Sequence, residues 1–181
     1  MALRKRAAVT DESTPHVSRS ERLWAHPGLR PLVGLDAKSS SPIAAYRWEH
    51  TDRALTDQLA LEAEGYPATV EPGHAAVRYI NPATGEDVLP TIRAEIHRFA
   101  PGTRTAARRQ TGSSVFQVFD GTGEVSAGDK SWKVERGDLF AVPSWHPLTV
   151  AADSGHDLFH FTDARLLEKL HQHRAEGGEA P

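Results

Sequence analysis

The sequence predicts an all-β fold class, in which short strands form a sandwich or barrel with a helix on either side along the chain. Seven β-rich runs follow one another closely, at 75–80, 91–99, 114–119, 131–135, 138–142, 147–151 and 157–162. Turn-forming residues separate them, and Gly128-Asp129 has the chemistry of a tight hairpin turn. Closely spaced short strands without intervening helices are typical of all-β sandwiches and barrels.

The segments before the strands are predicted to form an arm and a helix. Residues 1–45 are rich in Ser, Pro, Arg and Ala and show no sustained helical or strand period, so we expect an extended N-terminal arm. Residues 46–74 are expected to be a helix and linker that pack on the barrel, with the helix running from Thr51 to Glu64. Thr51 or Asp52 offers a cap there, and Gly65 ends the helical pattern.

The strand region at 75–162 is predicted to be the barrel itself, and 163–181 a closing helix and tail. Asp163 is a natural helix cap, and the leucines after it have helical spacing up to about residue 174. The pair His171 and His173 resembles a metal-binding His-x-His, but residues two apart on a helix point in nearly opposite directions. We therefore expect this pair to lie in a solvated tail.

Composition excludes several classes of function. The chain has 181 residues, with 39% hydrophobic and 25% charged residues, the balance of a globular domain with one core. Its net charge of -3 and scattered Lys and Arg argue against nucleic-acid binding. The absence of cysteine excludes disulfides and thiolate sites. No apolar run approaches the ~18 residues of a membrane span, so no membrane association and a cytoplasmic location are expected.

Two spaced motifs refine the fold prediction. Gly102 is followed after five residues by Arg108, then by Gln110, Ser114 and finally Gly121. This spacing resembles the first signature of cupins, in which the positions of Arg108, Gln110 and Ser114 hold two histidines and a glutamate. The fold class is accordingly predicted to be a cupin, a double-stranded β-helix or jelly-roll barrel.

The second cupin signature begins at Gly137, continues to Pro143 and reaches its metal-ligand position at Leu148. Along a strand, residues two apart share one face, so Arg108, Gln110 and Ser114 are expected to face the barrel interior. Arg108 repels a cation and Leu148 has no ligand atom, while amide and hydroxyl groups are weak ligands. The motif positions therefore predict no metal site.

Further stretches carry a more specific resemblance. The chain is similar to the C-terminal cupin half of gentisate 1,2-dioxygenases at 39–42, 46–48, 72–79, 90–95, 112–119, 137–138 and 142–145. The resemblance implies a relative of enzymes with two cupin domains that open an aromatic ring with Fe(II) and dioxygen, with the iron in the N-terminal cupin. It also implies that this chain holds no cofactor and acts as a structural or partner half, in a homo-oligomer or with an N-terminal cupin partner.

Two alternatives remain open from the residues. A stand-alone barrel could hold a small aromatic carboxylate, because an arginine fork matches a carboxylate. The pocket candidates for this role are Arg108, Gln110, Ser114, Phe116, Trp145 and Leu148. An active dioxygenase could instead recruit histidines outside the motif, and the candidates are His97, His146 and His160. His97 and His160 would converge if their strands were neighbours inside the barrel.

Overall fold

The computed structural model describes residues 18–32, 41–43 and 45–177. Most of the predicted arm at 1–45 and the end of the tail at 178–181 lie outside these ranges. Within the described part of the arm, one short helix, α1 (Arg19–Trp24), was not expected from the sequence. It begins with a reciprocal capping box, in which the side chains of Ser18 and Glu21 each accept a hydrogen bond from the backbone N–H of the other residue.

The remaining elements succeed one another in chain order. They are α2 (Trp48–Ala63), β1 (His74–Arg78), β2 (Arg93–Phe99), β3 (Thr103–Arg104), β4 (Arg109–Gln110), β5 (Ser114–Ala127), β6 (Lys130–Glu135), β7 (Leu139–Val142), β8 (Leu148–Ala152), β9 (His156–Thr162), α3 (Ala164–Lys169) and β10 (Ala175–Glu176). The predicted all-β fold is confirmed, and each of the seven predicted runs overlaps one of the longer strands.

The long strand β5 organises the barrel. Its first half pairs with β7 and β9, and its second half pairs with β6 and β8, so one strand serves both layers. The register shifts between Val118 and Asp120, where a bulge lets β5 bend from one layer into the other. From β9 the sheet continues through β2 to β1. The predicted hairpin turn is present, because Ala127 pairs with Lys130 across Gly128-Asp129.

The structure explains why two positions of the motifs, 121 and 137, are occupied by glycine. Gly121 has a φ of 79°, and a Cβ there would collide with the backbone oxygen of Gly155. Gly137 has a φ of 98° at the turn between β6 and β7. Side chains are strained in this left-handed region, so both positions favour glycine whatever the barrel binds. The motif skeleton therefore reports on fold rather than on metal binding.

Helix α2 covers the outside of the sheet formed by β1 and β2. Leu55 is fully buried against Ala75 and Ile96, in a cluster separate from the barrel interior. The Gln58 side chain also exchanges two hydrogen bonds of 3.1 Å with the backbone of Ala76. The barrel interior has its own apolar core, which includes Phe99, Phe116, Val118, Val125, Val150 and Leu158.

Both predicted helices are present with different ends. α2 begins at Trp48, three residues before the predicted start at Thr51. α3 ends at Lys169 rather than near residue 174. The helix ends in a left-handed cap, since His171 has a φ of 57° and the Gln172 N–H donates to the backbone oxygen of Leu167 at 2.8 Å. Beyond the cap, the Thr111 hydroxyl donates to the backbone oxygen of Gln172, and β10 pairs with β4. Among the described residues, no helix is both long and apolar enough to cross a membrane.

Candidate metal and ligand cavity

One end of the barrel holds a cavity of about 340 Å³. Its walls combine apolar side chains from the core with charged and imidazole groups from β1, β2, β9 and the segments before β1 and β4. The chemically distinctive part of the wall is formed by Glu71, His74, Glu95, His97, Phe99, Arg108, Gln110, Ser114, Phe116, Leu148, Leu158 and His160. Cavities of about 300 to 1,000 Å³ with convergent polar groups are the usual setting of small-ligand sites.

The four motif positions lie together in this cavity. Arg108 and Leu148 pair directly, with reciprocal backbone hydrogen bonds of 3.0 and 2.7 Å. The Gln110 side chain donates to the Ser114 hydroxyl at 3.3 Å. The sequence spacing thus identified neighbouring positions correctly, although their side chains offer no strong metal ligand. Their predicted role as a ligand pocket remains a proposal.

The other candidates from the sequence occupy different places. Phe116 is buried in the core and its ring stacks on His160 at 4.3 Å, so it also forms a wall of the cavity. Trp145 is not among the residues that line the cavity; it has a φ of 65°, and the guanidinium of the lining residue Arg109 lies 4.9 Å from its ring centre. His146 is exposed at the mouth, with Nδ1 3.2 Å from the backbone oxygen of Ser144.

His97 and His160 converge with a third residue, Glu95. Glu95 and His97 share one face of β2, and Glu95 is the direct partner of His160 across the pairing of β2 with β9. Glu95 Oε2 lies 3.4 Å from His97 Nε2 and 3.1 Å from His160 Nδ1. One ligand atom from each of the three residues falls within 4.8 Å of the others. Two imidazoles and one carboxylate facing an open cavity are the ligand set of non-haem Fe(II) oxygenases.

The protonation states of Glu95 and His160 are those required for binding a metal cation. Burial pushes the pKa of Glu95 upward, but the neighbouring His160 and His97 outweigh it and hold that pKa well below its usual range. Burial lowers the pKa of His160, which keeps the imidazole neutral. Metal ligands must be ionised carboxylates and neutral imidazoles, and these are the forms that the environment favours.

An unmet bonding requirement supports the same interpretation. The Nε2 atoms of His97 and His160 are buried, and neither has a hydrogen-bond partner in the described part of the chain. Buried polar atoms without partners are rare in folded proteins because each costs free energy. A divalent metal ion such as Fe(II) fits this donor set. The expectation that this chain holds no cofactor is therefore wrong, because it rested on the motif positions, whereas two of the histidines kept as an alternative, His97 and His160, converge with Glu95.

Glu95 was missed in the sequence, although a signal was present. Residues 93, 95, 97 and 99 alternate on β2, so recognition of His97 as inward-facing implies the same for Glu95. The pairing of β2 with β9 joins Glu95 to His160, which lie 65 positions apart in the sequence. Periodicity within a single strand cannot reveal that partnership.

A row of hydrogen-bonding groups connects the cluster with the mouth of the cavity. His74 Nε2 lies 2.9 Å from His97 Nδ1, and His74 Nδ1 lies 3.3 Å from Glu71 Oε1. Arg108 Nη2 lies 3.2 Å from the same Glu71 oxygen. Burial lowers the pKa of His74 to about 2, and His97 and Arg108 act in the same direction, so His74 is neutral.

Comparison with known proteins gives consistent results. The sequence model of the cupin domain family matches residues 95–161 of this chain. The chain is 50% identical to a gentisate 1,2-dioxygenase from Streptomyces sp over 171 residues, which is 94% of this chain and 48% of that protein. It is 30% identical to a 5-aminosalicylate 1,2-dioxygenase from Comamonas sp over 86% of this chain and 41% of that protein.

Solved structures agree with these relatives. A salicylate 1,2-dioxygenase variant from Pseudoaminobacter salicylatoxidans, crystallised in complex with gentisate, superposes with a TM-score of 0.88 and 57% identity. That match covers 94% of this chain and 47% of the other. The chain thus spans about half the length of the relatives it matches.

Proposed function

Because this chain belongs to the gentisate 1,2-dioxygenase family of the cupin superfamily, we propose that its barrel cavity binds Fe(II) and a single-ring aromatic carboxylate for ring-cleaving dioxygenase chemistry. Glu95, His97 and His160 would hold the metal, which supplies dioxygen activation when bound. The observation that carries this proposal is the convergence of the three ligand atoms, together with two buried imidazole nitrogens that lack partners among the described residues.

Arg108 is the proposed carboxylate partner. Its Nε is buried without a hydrogen-bond partner among the described residues, and its Nη2 contacts Glu71 without the alignment of a hydrogen bond. A guanidinium with free donors in a mostly apolar cavity favours an organic carboxylate, because the fork can form two parallel charge-assisted hydrogen bonds. Phe99, Phe116 and Leu148 offer apolar surface for the ring.

The cavity volume limits the size of the substrate. At about 340 Å³ it lies near the lower end of the range for small-ligand sites, which favours one aromatic ring over fused rings. Gentisate occupies the related salicylate 1,2-dioxygenase structure, so gentisate and salicylate are the first compounds to test. Both carry the carboxylate that Arg108 would bind.

We further propose that the chain corresponds to the C-terminal half of its longer relatives and works as an oligomer or beside an N-terminal cupin. Coverage of about half of each matched protein supports correspondence to one half of a longer relative, and the sequence resemblance described above assigns it to the C-terminal half. Leu139 and Trp132 on the outer strands are 67% and 46% exposed, which offers apolar surface for a neighbour. Light scattering of the purified chain, alone and mixed with the N-terminal half of the Streptomyces relative, would test for assembly.

The direct test is oxygen uptake with gentisate and with salicylate after anaerobic loading of the full chain with Fe(II). Uptake by the wild type, its loss in His160→Ala and its retention in His146→Ala are expected. His146 is a matched control because it lies at the same mouth but outside the ligand cluster. Iron binding without uptake, in the presence of the N-terminal half, would contradict the proposed activity.

A binding module is the second candidate, and the free donors of Arg108 favour it independently of the metal cluster. Under this alternative, gentisate binds to the metal-free chain, and Arg108→Leu abolishes binding. Calorimetry with the metal-free wild type distinguishes the two functions when read beside the uptake assay. Binding that strictly requires Fe(II) would exclude the simple binding module.

A further inference from the structure

The proposed metal ligand His97 is the inner end of a fixed hydrogen-bonded row that begins at Glu71. Two groups other than His74 contact the Glu71 carboxylate and fix its position. Its Oε2 accepts a hydrogen bond of 3.0 Å from the backbone N–H of Ala106, and its Oε1 lies 3.2 Å from Arg108 Nη2. The carboxylate therefore has a defined orientation when His74 approaches it.

His74 is equally constrained. Only about 5% of its surface is exposed, and its ring stacks on Phe99 with centroids 4.3 Å apart. The backbone N–H of His74 donates to the backbone oxygen of Glu71 at 2.8 Å, which closes the turn that brings the two side chains together. Rotation of the imidazole would break this stacking and both side-chain hydrogen bonds.

The partners determine where the ring protons lie. An ionised carboxylate only accepts hydrogen bonds, so the His74 nitrogen that faces Glu71, Nδ1, must carry the proton. Neutral His74 then has its lone pair on Nε2, and it can only accept from His97. His97 then donates from Nδ1 across the 2.9 Å contact, which leaves its lone pair on Nε2. Glu95 Oε2 lies 3.4 Å from this Nε2 but outside hydrogen-bond alignment, so Glu95 does not hold a proton there. A metal ion needs this tautomer of His97.

We propose that Glu71 and His74 are positioning residues that lock His97 in its metal-binding tautomer and orientation. This inference rests on the proposed metal site and deepens it, because it names the residues that prepare one ligand. Outer groups of this kind typically account for about 10- to 100-fold in metal affinity. Neither Glu71 nor His74 belongs to the ligand cluster itself.

Glu71→Gln is the sharpest variant. The Ala106 N–H would retain the amide oxygen of the new side chain, so the amide NH₂ would face His74 Nδ1. His74 would then donate from Nε2, and the proton of His97 would move to Nε2, where it blocks the metal. His74→Phe is the second variant, because it keeps the ring stacked on Phe99 and removes the acceptor for His97.

Glu62→Gln is the matched control. Glu62 also fixes the turn before β1, since its carboxylate accepts hydrogen bonds from the Gly73 N–H and the Thr69 hydroxyl. These hydrogen bonds involve neither histidine of the row. A loss of metal affinity that arises only from a disturbed turn should therefore appear in this control as strongly as in Glu71→Gln.

The experiment combines two readouts on the full chain. Nitrogen-15 NMR of the imidazoles, without metal, reports which nitrogen of His97 carries the proton. Anaerobic titration with Fe(II) reports affinity. We expect His97 protonated on Nδ1 in the wild type and in Glu62→Gln, a changed tautomer in Glu71→Gln, and affinity about 10- to 100-fold weaker in Glu71→Gln and His74→Phe.

Two results would overturn the inference: a wild-type His97 protonated on Nε2, or unchanged tautomer and affinity in a folded Glu71→Gln chain. Failure of the proposed metal site looks different, because the wild type would then bind no Fe(II) at all, and failure of the proposed activity alone would leave Fe(II) binding without oxygen uptake. In either case the NMR comparison still decides whether Glu71 and His74 fix the tautomer of His97.

Discussion

One face of strand β2 contributes to two polar clusters, one around Arg93 and one around His97. The clusters differ in how many of their polar atoms have hydrogen-bond partners. Arg93 forms two forks: Nε and Nη2 donate to Asp87 at 3.1 and 3.2 Å, and Nη1 and Nη2 donate to Glu168 at 2.9 and 2.8 Å. Four residues along, His97 leaves Nε2 buried without a hydrogen-bond partner within the described ranges.

This difference separates a structural cluster from a ligand site. Breaking a fully paired buried ion pair is costly, because the remaining charge has no compensation. A cluster with unmet bonding capacity gains stability only when something binds to it. Substitution in the Arg93 cluster should therefore lower the free energy of unfolding with or without metal. Substitution in the His97 cluster should instead remove the stability that is gained when metal binds.

The largest effect should come from Arg93. We expect Arg93→Met to lower the free energy of unfolding by about 3–5 kcal/mol, because Asp87 would remain buried without its main cation. Urea denaturation at neutral pH measures this change. A loss no larger than that of a surface substitution would show that the two clusters do not differ in the proposed way.

The metal cluster should show its effect only when metal is present. Fe(II) at 100 times its dissociation constant should stabilise the wild-type chain by about 2.7 kcal/mol. His160→Phe should gain nothing, although its ring can still stack on Phe116. Anaerobic denaturation with and without Fe(II) checks both chains. Equal stabilisation of the variant would remove His160 from the ligand set.

A smaller effect depends on pH. Burial lowers the pKa of His156 below its ordinary value of about 6.5, so the folded state resists protonation more than the unfolded state. The stability that the neutral imidazole allows is present above pH 6.5 and is lost as the pH falls below it. The stability difference between wild type and His156→Gln should therefore shift toward the variant on acidification from pH 7 to pH 5. A difference that does not vary with pH would contradict this.

The smallest effect is expected at the cavity mouth. Arg109 and Glu176 form an ion pair between β4 and β10, but both side chains are exposed. Exposed pairs contribute about 0.2–1 kcal/mol, and salt screens them. Glu176→Gln should therefore change the unfolding free energy by less than about 1 kcal/mol. A loss comparable to that of Arg93→Met would reveal a closing role for β10 beyond this pair.

The fold was predictable from local patterns in the sequence. The closely spaced β-rich runs indicated the strands, and Gly121 in the bend of β5 and Gly137 at the turn after β6 both need positive φ. The end of α3 was not predictable, because helical spacing continues past Lys169. The helix ends where His171 takes a φ of 57°, a conformation that its sequence does not announce, and Thr111 then bonds to the backbone of the tail.

The site was predictable only in part. Motif spacing placed Arg108, Gln110, Ser114 and Leu148 in one cavity, and the positions of His97 and His160 in predicted strands made both of them metal candidates. Glu95 and the positioning pair escaped notice because their roles depend on contacts across strands. The residues at the ligand positions of the two cupin signatures predicted no metal site. The pairing of β2 with β9 instead brings the candidate ligands Glu95, His97 and His160 together at another place.

The most direct test of the central claim is the position of iron in crystals of the full chain grown anaerobically with Fe(II). An anomalous difference map at the iron edge should show one peak in contact with Glu95, His97 and His160, at ligand distances of about 2.0–2.2 Å, similar to those of other divalent sites. A peak elsewhere, such as at His146, or no peak in crystals that contain the folded chain and excess Fe(II), would contradict the account.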